Sequence, residues 1–132
     1  MFYELSIYNW ADFTILIVED DISSTFYLKE VLKDTHVNIL HAPDGQKAVD
    51  ICTSTPSINL VLMDIRMPVM NGFEATRAIK LFRPDLPIIA QTANIMIENR
   101  NHCIEAGCND FIAKPIDSEE LLEMISGFLK QP

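Results

Sequence analysis

Positive charge is scarce in this chain. Its 132 residues hold 10 lysines and arginines against 19 aspartates and glutamates, a formal charge of −9. A basic face for nucleic-acid phosphates is therefore not expected, nor attraction to an anionic membrane surface. Such a balance suits a basic partner patch or a bound cation. Cysteine is also sparse: Cys52, Cys103 and Cys108 form no C-x-x-C pair and no Cys/His cluster with zinc spacing. They read as free thiols, buried or half-buried, in a reducing compartment. No apolar run approaches the ~18 residues of a membrane helix. The N-terminal MFYELSIYNWADF lacks a basic start and a long apolar stretch, so it does not read as a signal peptide. Internal repeats and low-complexity segments are missing too.

What is present is an alternation of short apolar runs and amphipathic stretches. Thr14-Ile15-Leu16-Ile17-Val18 is continuous and β-branched, as a strand buried on both faces should be. A helix is expected from about Ile22 to Lys33. Residues 37–41 read as a weaker, more polar strand at a sheet edge, and Pro43-Asp44-Gly45 punctuates before a second helix. Leu60 to Met63 form the third strand, and Asn71-Gly72 introduces a third helix. Residues 87–91 form the fourth strand, with Pro at its entry, where a missing donor is tolerated. A polar helix follows over about 94–106 and stops at Gly107, a C′ residue. Residues 110–113 form the fifth strand. Asp117, with Glu120 three residues on, caps the last helix. Five strands alternating with five helices predict an α/β domain, a doubly wound parallel sheet with right-handed crossovers. The domain is expected over 14–132, with 1–13 a linker or appended segment outside the core.

In such a sheet, chemistry collects beyond the carboxyl ends of the strands. The first strand ends in Glu19-Asp20-Asp21, the third in Asp64, the fourth near Thr92, and the fifth runs into Lys114-Pro115. Carboxylates crowded at one rim repel by roughly 3 kcal/mol per pair at ~5 Å and an effective dielectric of ~20. Lys114 offsets one charge. Oxygen-only ligands favour Mg²⁺, which readily bridges a carboxylate and a phosphate oxygen. An acid nucleophile, a metal, a lysine and a hydroxyl donor together read as a phosphoryl site. Singly, each residue has a plainer role as a cap, a solvated turn or a surface charge; their joint occurrence at successive strand ends argues otherwise.

ILIVEDD, LVLMDIRMPVMNG, PIIAQTA and AGCNDFIAKPID occur in that order. The chain resembles the receiver domain of two-component response regulators from about Thr14 onward. The wording of the second motif and the leader ending YNWADF resemble receivers of hybrid sensor histidine kinases. The resemblance implies strand order 2-1-3-4-5 and names Asp64 as phosphoacceptor. It implies Mg²⁺, with Mn²⁺ as substitute, held by Asp20, Asp64 and the Arg66 backbone carbonyl, and by Glu19 largely through water. Thr92 becomes the switch hydroxyl, Lys114 the partner of the phosphoryl group, and the Lys114–Pro115 peptide is expected to be cis. Phe111 stands at the aromatic switch position, where many members carry Tyr, so packing alone is left to it. Arg66 and Asn94 stand where dephosphorylation is tuned.

The partners so implied are a sensor histidine kinase or a histidine phosphotransfer domain, met through the helix near Ile22. Neither nucleic acid nor membrane is contacted by the domain itself, and its location is cytoplasmic, including at the cytoplasmic end of a membrane-bound hybrid kinase. The chain is not expected to be a conventional enzyme, although it would catalyse its own phosphorylation and dephosphorylation. Three other readings stand against this one. A haloacid-dehalogenase-like phosphatase usually carries a second Asp two positions after the first, where Arg66 stands. A flavodoxin-like cofactor binder needs a Ser/Thr/Gly-rich phosphate loop where acids stand here. A degenerate receiver, acting only as a protein-docking module, would not need the full set of acids, hydroxyl and lysine.

Overall fold

The computed structural model describes residues 7–67, 69–93 and 97–129, with the backbone alone for 97–99. Strands β1 (Thr14–Val18), β2 (Asn38–Ala42), β3 (Leu60–Asp64), β4 (Ile88–Thr92) and β5 (Asp110–Ala113) alternate with helices α1 (Ile22–Leu32), α2 (Gly45–Ser54), α3 (Gly72–Phe82), α4 (Ile97–Ala106) and α5 (Ser118–Phe128). All strand pairs are parallel, in the order β2-β1-β3-β4-β5. This is the doubly wound sheet and the strand order expected above.

Strand alternation explains the two layers of core. Ile15, Ile17, Leu60, Leu62, Ile89 and Ile112 pack against Leu28 and Leu32 of α1 and Leu121 and Ile125 of α5. Their chain neighbours Leu16, Val18, Val61, Met63 and Ile88 pack against Ala48 and Cys52 of α2 and Ala75 and Ile79 of α3. A smaller cluster joins Ala90, Ile65 and Cys103 of α4, with Phe73 and Phe111 against it. Successive side chains point to opposite faces, so a strand covered on both sides must be apolar throughout. Burying each such side chain contributes roughly 1.5–3 kcal/mol. The cysteines are free, and burial pushes the thiol of Cys52 up to about 11 and that of Cys103 up to about 12.

Boundaries moved by a residue where a local hydrogen bond competes. Val37 was expected to open β2, but its N–H donates to Thr35 Oγ1 at 3.2 Å after the 3₁₀ turn Lys33–Thr35, and the ladder starts at Asn38. The edge character of β2 holds, with Asn38, Leu40 and His41 exposed. Asp117 caps α5 by accepting from the Glu120 amide at 2.9 Å. The complete reciprocal box stands at α3, where Asn71 accepts from the Glu74 amide and Glu74 from the Asn71 amide. Gly107 follows α4 at φ 101°, the left-handed conformation glycine adopts without strain. The start expected for the fourth helix, residues 94–96, lies outside the described residues.

The aromatic leader, expected outside the core, contributes to it. Trp10 is 3% exposed and packs within the α1/α5 cluster, with Tyr8 stacked at 5.0 Å and Phe13 alongside. Its amide donates to the Thr35 carbonyl at 2.7 Å. A large ring buries enough apolar area to dock a short segment without secondary structure; the amphipathic pattern that marks helices has no counterpart in so short a stretch.

Candidate functional site

The rim beyond the carboxyl ends of β1, β3, β4 and β5 gathers the acids, but gives each of the first three a different task. Glu19 turns inward and is 1% exposed. Asp20 stays exposed at the mouth. Asp21 caps α1, accepting from the Ser24 amide and hydroxyl, both at 2.8 Å; these bonds hold its carboxyl below the usual range. Glu19, Asp20 and Asp64 can each present a carboxylate oxygen within 4.8 Å of the others. Asp64 ends β3, 4% exposed, and its Oδ1 accepts from the Arg66 amide at 3.3 Å.

The seat of Asp64 depends on a glycine. A side chain at Gly72 would strike the Asp64 carbonyl oxygen and come within 2.8 Å of Ile65 Cα. The Gly72 amide donates to the Ile65 carbonyl at 3.0 Å, so α3 starts directly against the end of β3. This is the packing reason for the Asn71-Gly72 pair in the sequence.

Lys114 reaches back into the acids. Its Nζ lies 3.3 Å from Glu19 Oε1 and 3.3 Å from Asp64 Oδ1, long for charge-assisted bonds. Burial works against its charged form, but Asp64 and Glu19 together outweigh that and hold its pKa above the usual value. Glu19 is pushed up to about 7, first by burial and then by the neighbouring Asp64, against the lowering effects of the Asp21 amide and Lys114. Buried carboxylates this close, with one ammonium between them, form a site short of positive charge. An all-oxygen donor set of this kind fits a hard divalent cation of the Mg²⁺ type, which would displace the proton from Glu19.

Thr92 ends β4 on the opposite face, 6% exposed, and its carbonyl accepts from the Lys114 amide at 2.8 Å. It lines a cleft of about 510 Å³ with Ile65, Arg66, Asn71 and Phe73. Phe111 is half-buried on the same side of the sheet, its ring 5.2 Å from the Arg100 guanidinium carbon. The Arg66 side chain is exposed beside Asp64, and the Lys114–Pro115 peptide is cis. Asn94 lies outside the described residues. The structure thus brings Glu19, Asp20, Asp64, Arg66, Thr92 and Lys114 to one rim.

Two features escaped the sequence reading. Gln91, 1% exposed, sits beside Asp64 in the β3–β4 register and lines a second cleft, of about 640 Å³, with Ser23, Tyr27, Lys114, Pro115 and Ile116. Across that cleft the Tyr27 hydroxyl donates to the Ile116 carbonyl at 2.7 Å, tying α1 to the segment after Lys114. An amide inside the apolar run PIIAQTA was the available signal for Gln91; nothing local marks Tyr27.

The chain matches the response regulator receiver domain family over residues 15–126. It belongs to that family. Among similar proteins, hybrid signal transduction histidine kinase M of Dictyostelium discoideum is 37% identical over 117 residues, covering 84% of this chain and 5% of the kinase. The chain spans 5%, 31% and 49% of three of the curated relatives it matches. The receiver domain of the Pseudomonas aeruginosa sensor histidine kinase PA1611, solved with magnesium in its active-site cleft, superposes with a TM-score of 0.81 at 33% identity, covering 87% of this chain and 95% of that one. The receiver domain of Saccharomyces cerevisiae Ssk1, solved with the histidine phosphotransfer protein Ypd1, gives 0.85 at 26% identity, covering 93% and 91%. The chain is therefore a receiver domain of two-component signalling, and Mg²⁺ binding in the acidic site is general to its family. Among the described residues no helix is long and apolar enough to cross a membrane.

Proposed function

We propose that Asp64 accepts a phosphoryl group from a phosphohistidine on a sensor histidine kinase or histidine phosphotransfer domain. The observation that carries this reading is the convergence of Glu19, Asp20, Asp64 and Lys114 around one buried carboxylate. An Asp64 oxygen attacks phosphorus in line; the new O–P bond forms as the N–P bond breaks, and the electron pair returns to the imidazole nitrogen. Lys114 leaves the carboxylates for the transferred oxygens and stabilises their charge. Asp20, Asp64 and the Arg66 carbonyl would hold Mg²⁺ (or Mn²⁺), with Glu19 acting through water, and the ion supplies charge neutralisation for the transferring oxygens. Thr92 then turns toward the phosphoryl group and Phe111 fills the space behind it, repacking the α4–β5–α5 face. Ile22 and Phe26, 87% and 64% exposed on α1, support this helix as the surface that meets the histidine-bearing partner.

On this reading the receiver unit is 14–132, residues 1–13 are a linker or appended segment that docks on it through Trp10, and the domain works in the cytoplasm. Incubation with acetyl phosphate and Mg²⁺, read by intact mass, should add one phosphoryl group to the wild type and none to Asp64→Asn. Equal labelling of both proteins would overturn the assignment. Arg66 and Asn94 tune hydrolysis of the acyl phosphate. Arg66→Asn is expected to change the dephosphorylation rate several-fold while leaving phosphorylation intact, and an unchanged rate removes Arg66 from that role.

A further inference from the structure

The cross-sheet row that contains Asp64 also contains a residue that does not suit its place. Ile15, Ile17, Leu60, Leu62, Ile89 and Ile112 make the α1/α5 face of the sheet apolar, yet Gln91 occupies the same face, paired with Asp64 on one side and Ile112 on the other. Its side-chain Nε2 is buried and has no hydrogen-bond partner. A buried amide donor without an acceptor is destabilising, and a leucine of similar volume would remove that penalty. Paired residues of adjacent strands stand about 4.8 Å apart with their side chains on one face, so a glutamine side chain can span to the Asp64 carboxylate. In the structure that carboxylate is held by Lys114 Nζ at 3.3 Å from Oδ1.

We propose that Gln91 is a positioning residue for Asp64, whose Nε2–H donates to the Asp64 side chain once Lys114 has moved to the phosphoryl group. The inference rests on the phosphoacceptor reading given above. In the resting site Lys114 and the Arg66 amide donate to Asp64 Oδ1, and the Gln91 Nε2–H has no acceptor. In the phosphorylated site Lys114 is engaged elsewhere, and the amide supplies a donor to the oxygen that Lys114 gave up. The unpaired state is thus confined to the resting form, and the gain on pairing biases the domain toward the phosphorylated form. A population shift needs a difference in contacts between two states, and this is one. The cleft between α1 and the Lys114–Ile116 segment, bridged by Tyr27 and Ile116, gives the amide room to turn.

Binding of beryllofluoride, a phosphoryl mimic, in the presence of Mg²⁺ tests this. Gln91→Leu should raise the melting temperature of the resting domain by about 3–6 °C. It should also weaken beryllofluoride binding about tenfold. Gln91→Met, which keeps length and loses the amide, should weaken it equally. In the wild type the Gln91 side-chain NH₂ resonances, assigned by their loss in Gln91→Leu, should move downfield on addition of beryllofluoride and Mg²⁺. Variants that bind as tightly as wild type, or resonances that stay in place, overturn the role of Gln91 and leave the phosphoacceptor reading standing. A wild-type protein that binds no beryllofluoride overturns both.

Discussion

Gln91 and Thr92 are neighbours in one strand, and they look into different clefts. Gln91 shares its face with Glu19, Asp64 and Lys114, against α1 and α5; Thr92 shares the other with Phe111, against α3 and α4. The first face holds the buried carboxylates of Glu19 and Asp64 and their half-exposed cation, Lys114. The second holds a hydroxyl and an aromatic ring beside α4. A one-residue step along β4 therefore separates the groups that handle charge from the groups proposed to report it. On the proposed reading, the period of two in a strand sorts chemistry from signalling within one sheet.

The bluntest way to break this partition is to unseat the end of β3 that lies between the two sides. Gly72→Val places a branched side chain against the Asp64 carbonyl and Ile65 Cα, and overpacking of this kind should cost about 3 kcal/mol or more. Urea denaturation should show the loss, with both clefts affected together. A Gly72→Val protein with wild-type stability would mean that α3 can shift without disturbing Asp64.

A second test sharpens the contrast by titrating one face alone. The folded-state pKa of Glu19, raised from 4.5 to about 7, means that the native protein holds a proton the unfolded chain releases. The stabilisation from that proton is complete below about pH 4.5 and is lost as pH rises through about 7, on the order of 3 kcal/mol. In metal-free buffer with EDTA, Glu19→Gln should match the wild type near pH 4.5 and exceed its stability above pH 7. Parallel curves across that window would show that Glu19 carries no such proton. Metal affinity should rise over the same interval, since the ion and the proton compete.

The smallest effect concerns the loop between Asp64 and α3. Val69 sits at φ 70° with its side chain 89% exposed, a conformation that β-branched residues rarely adopt. Val69→Gly removes that strain while giving the unfolded chain more freedom, and a net stabilisation of about 0.5–1 kcal/mol is expected. Thermal melts of the two proteins would measure it, and a lower melting temperature for Val69→Gly would show that the loop pays nothing for the valine.

The fold was legible because strands covered on both faces must be apolar from end to end. Leu60 to Met63 and residues 14–18 announce themselves in that way, and the acids stand out because they interrupt such runs. The roles within Glu19-Asp20-Asp21 were less legible. Which acid turns inward, which faces solvent and which caps α1 depends on where the strand stops and the helix begins, and the resemblance rather than the pattern separated the first two. Gln91 was not legible because one amide in a buried run looks like an ordinary variation. The docking of Trp10 was not legible because an irregular segment leaves no period to read.

The anchoring of that leader has a geometric consequence. Trp10 is bound to Thr35, and Phe13 to Asn38, at the amino ends of β1 and β2, while the acids occupy the carboxyl ends of the parallel strands. On the linker reading proposed above, a tether attached through Trp10 would enter at the pole opposite Asp64. Its length and composition can then vary without crowding the approach of a partner to Asp64.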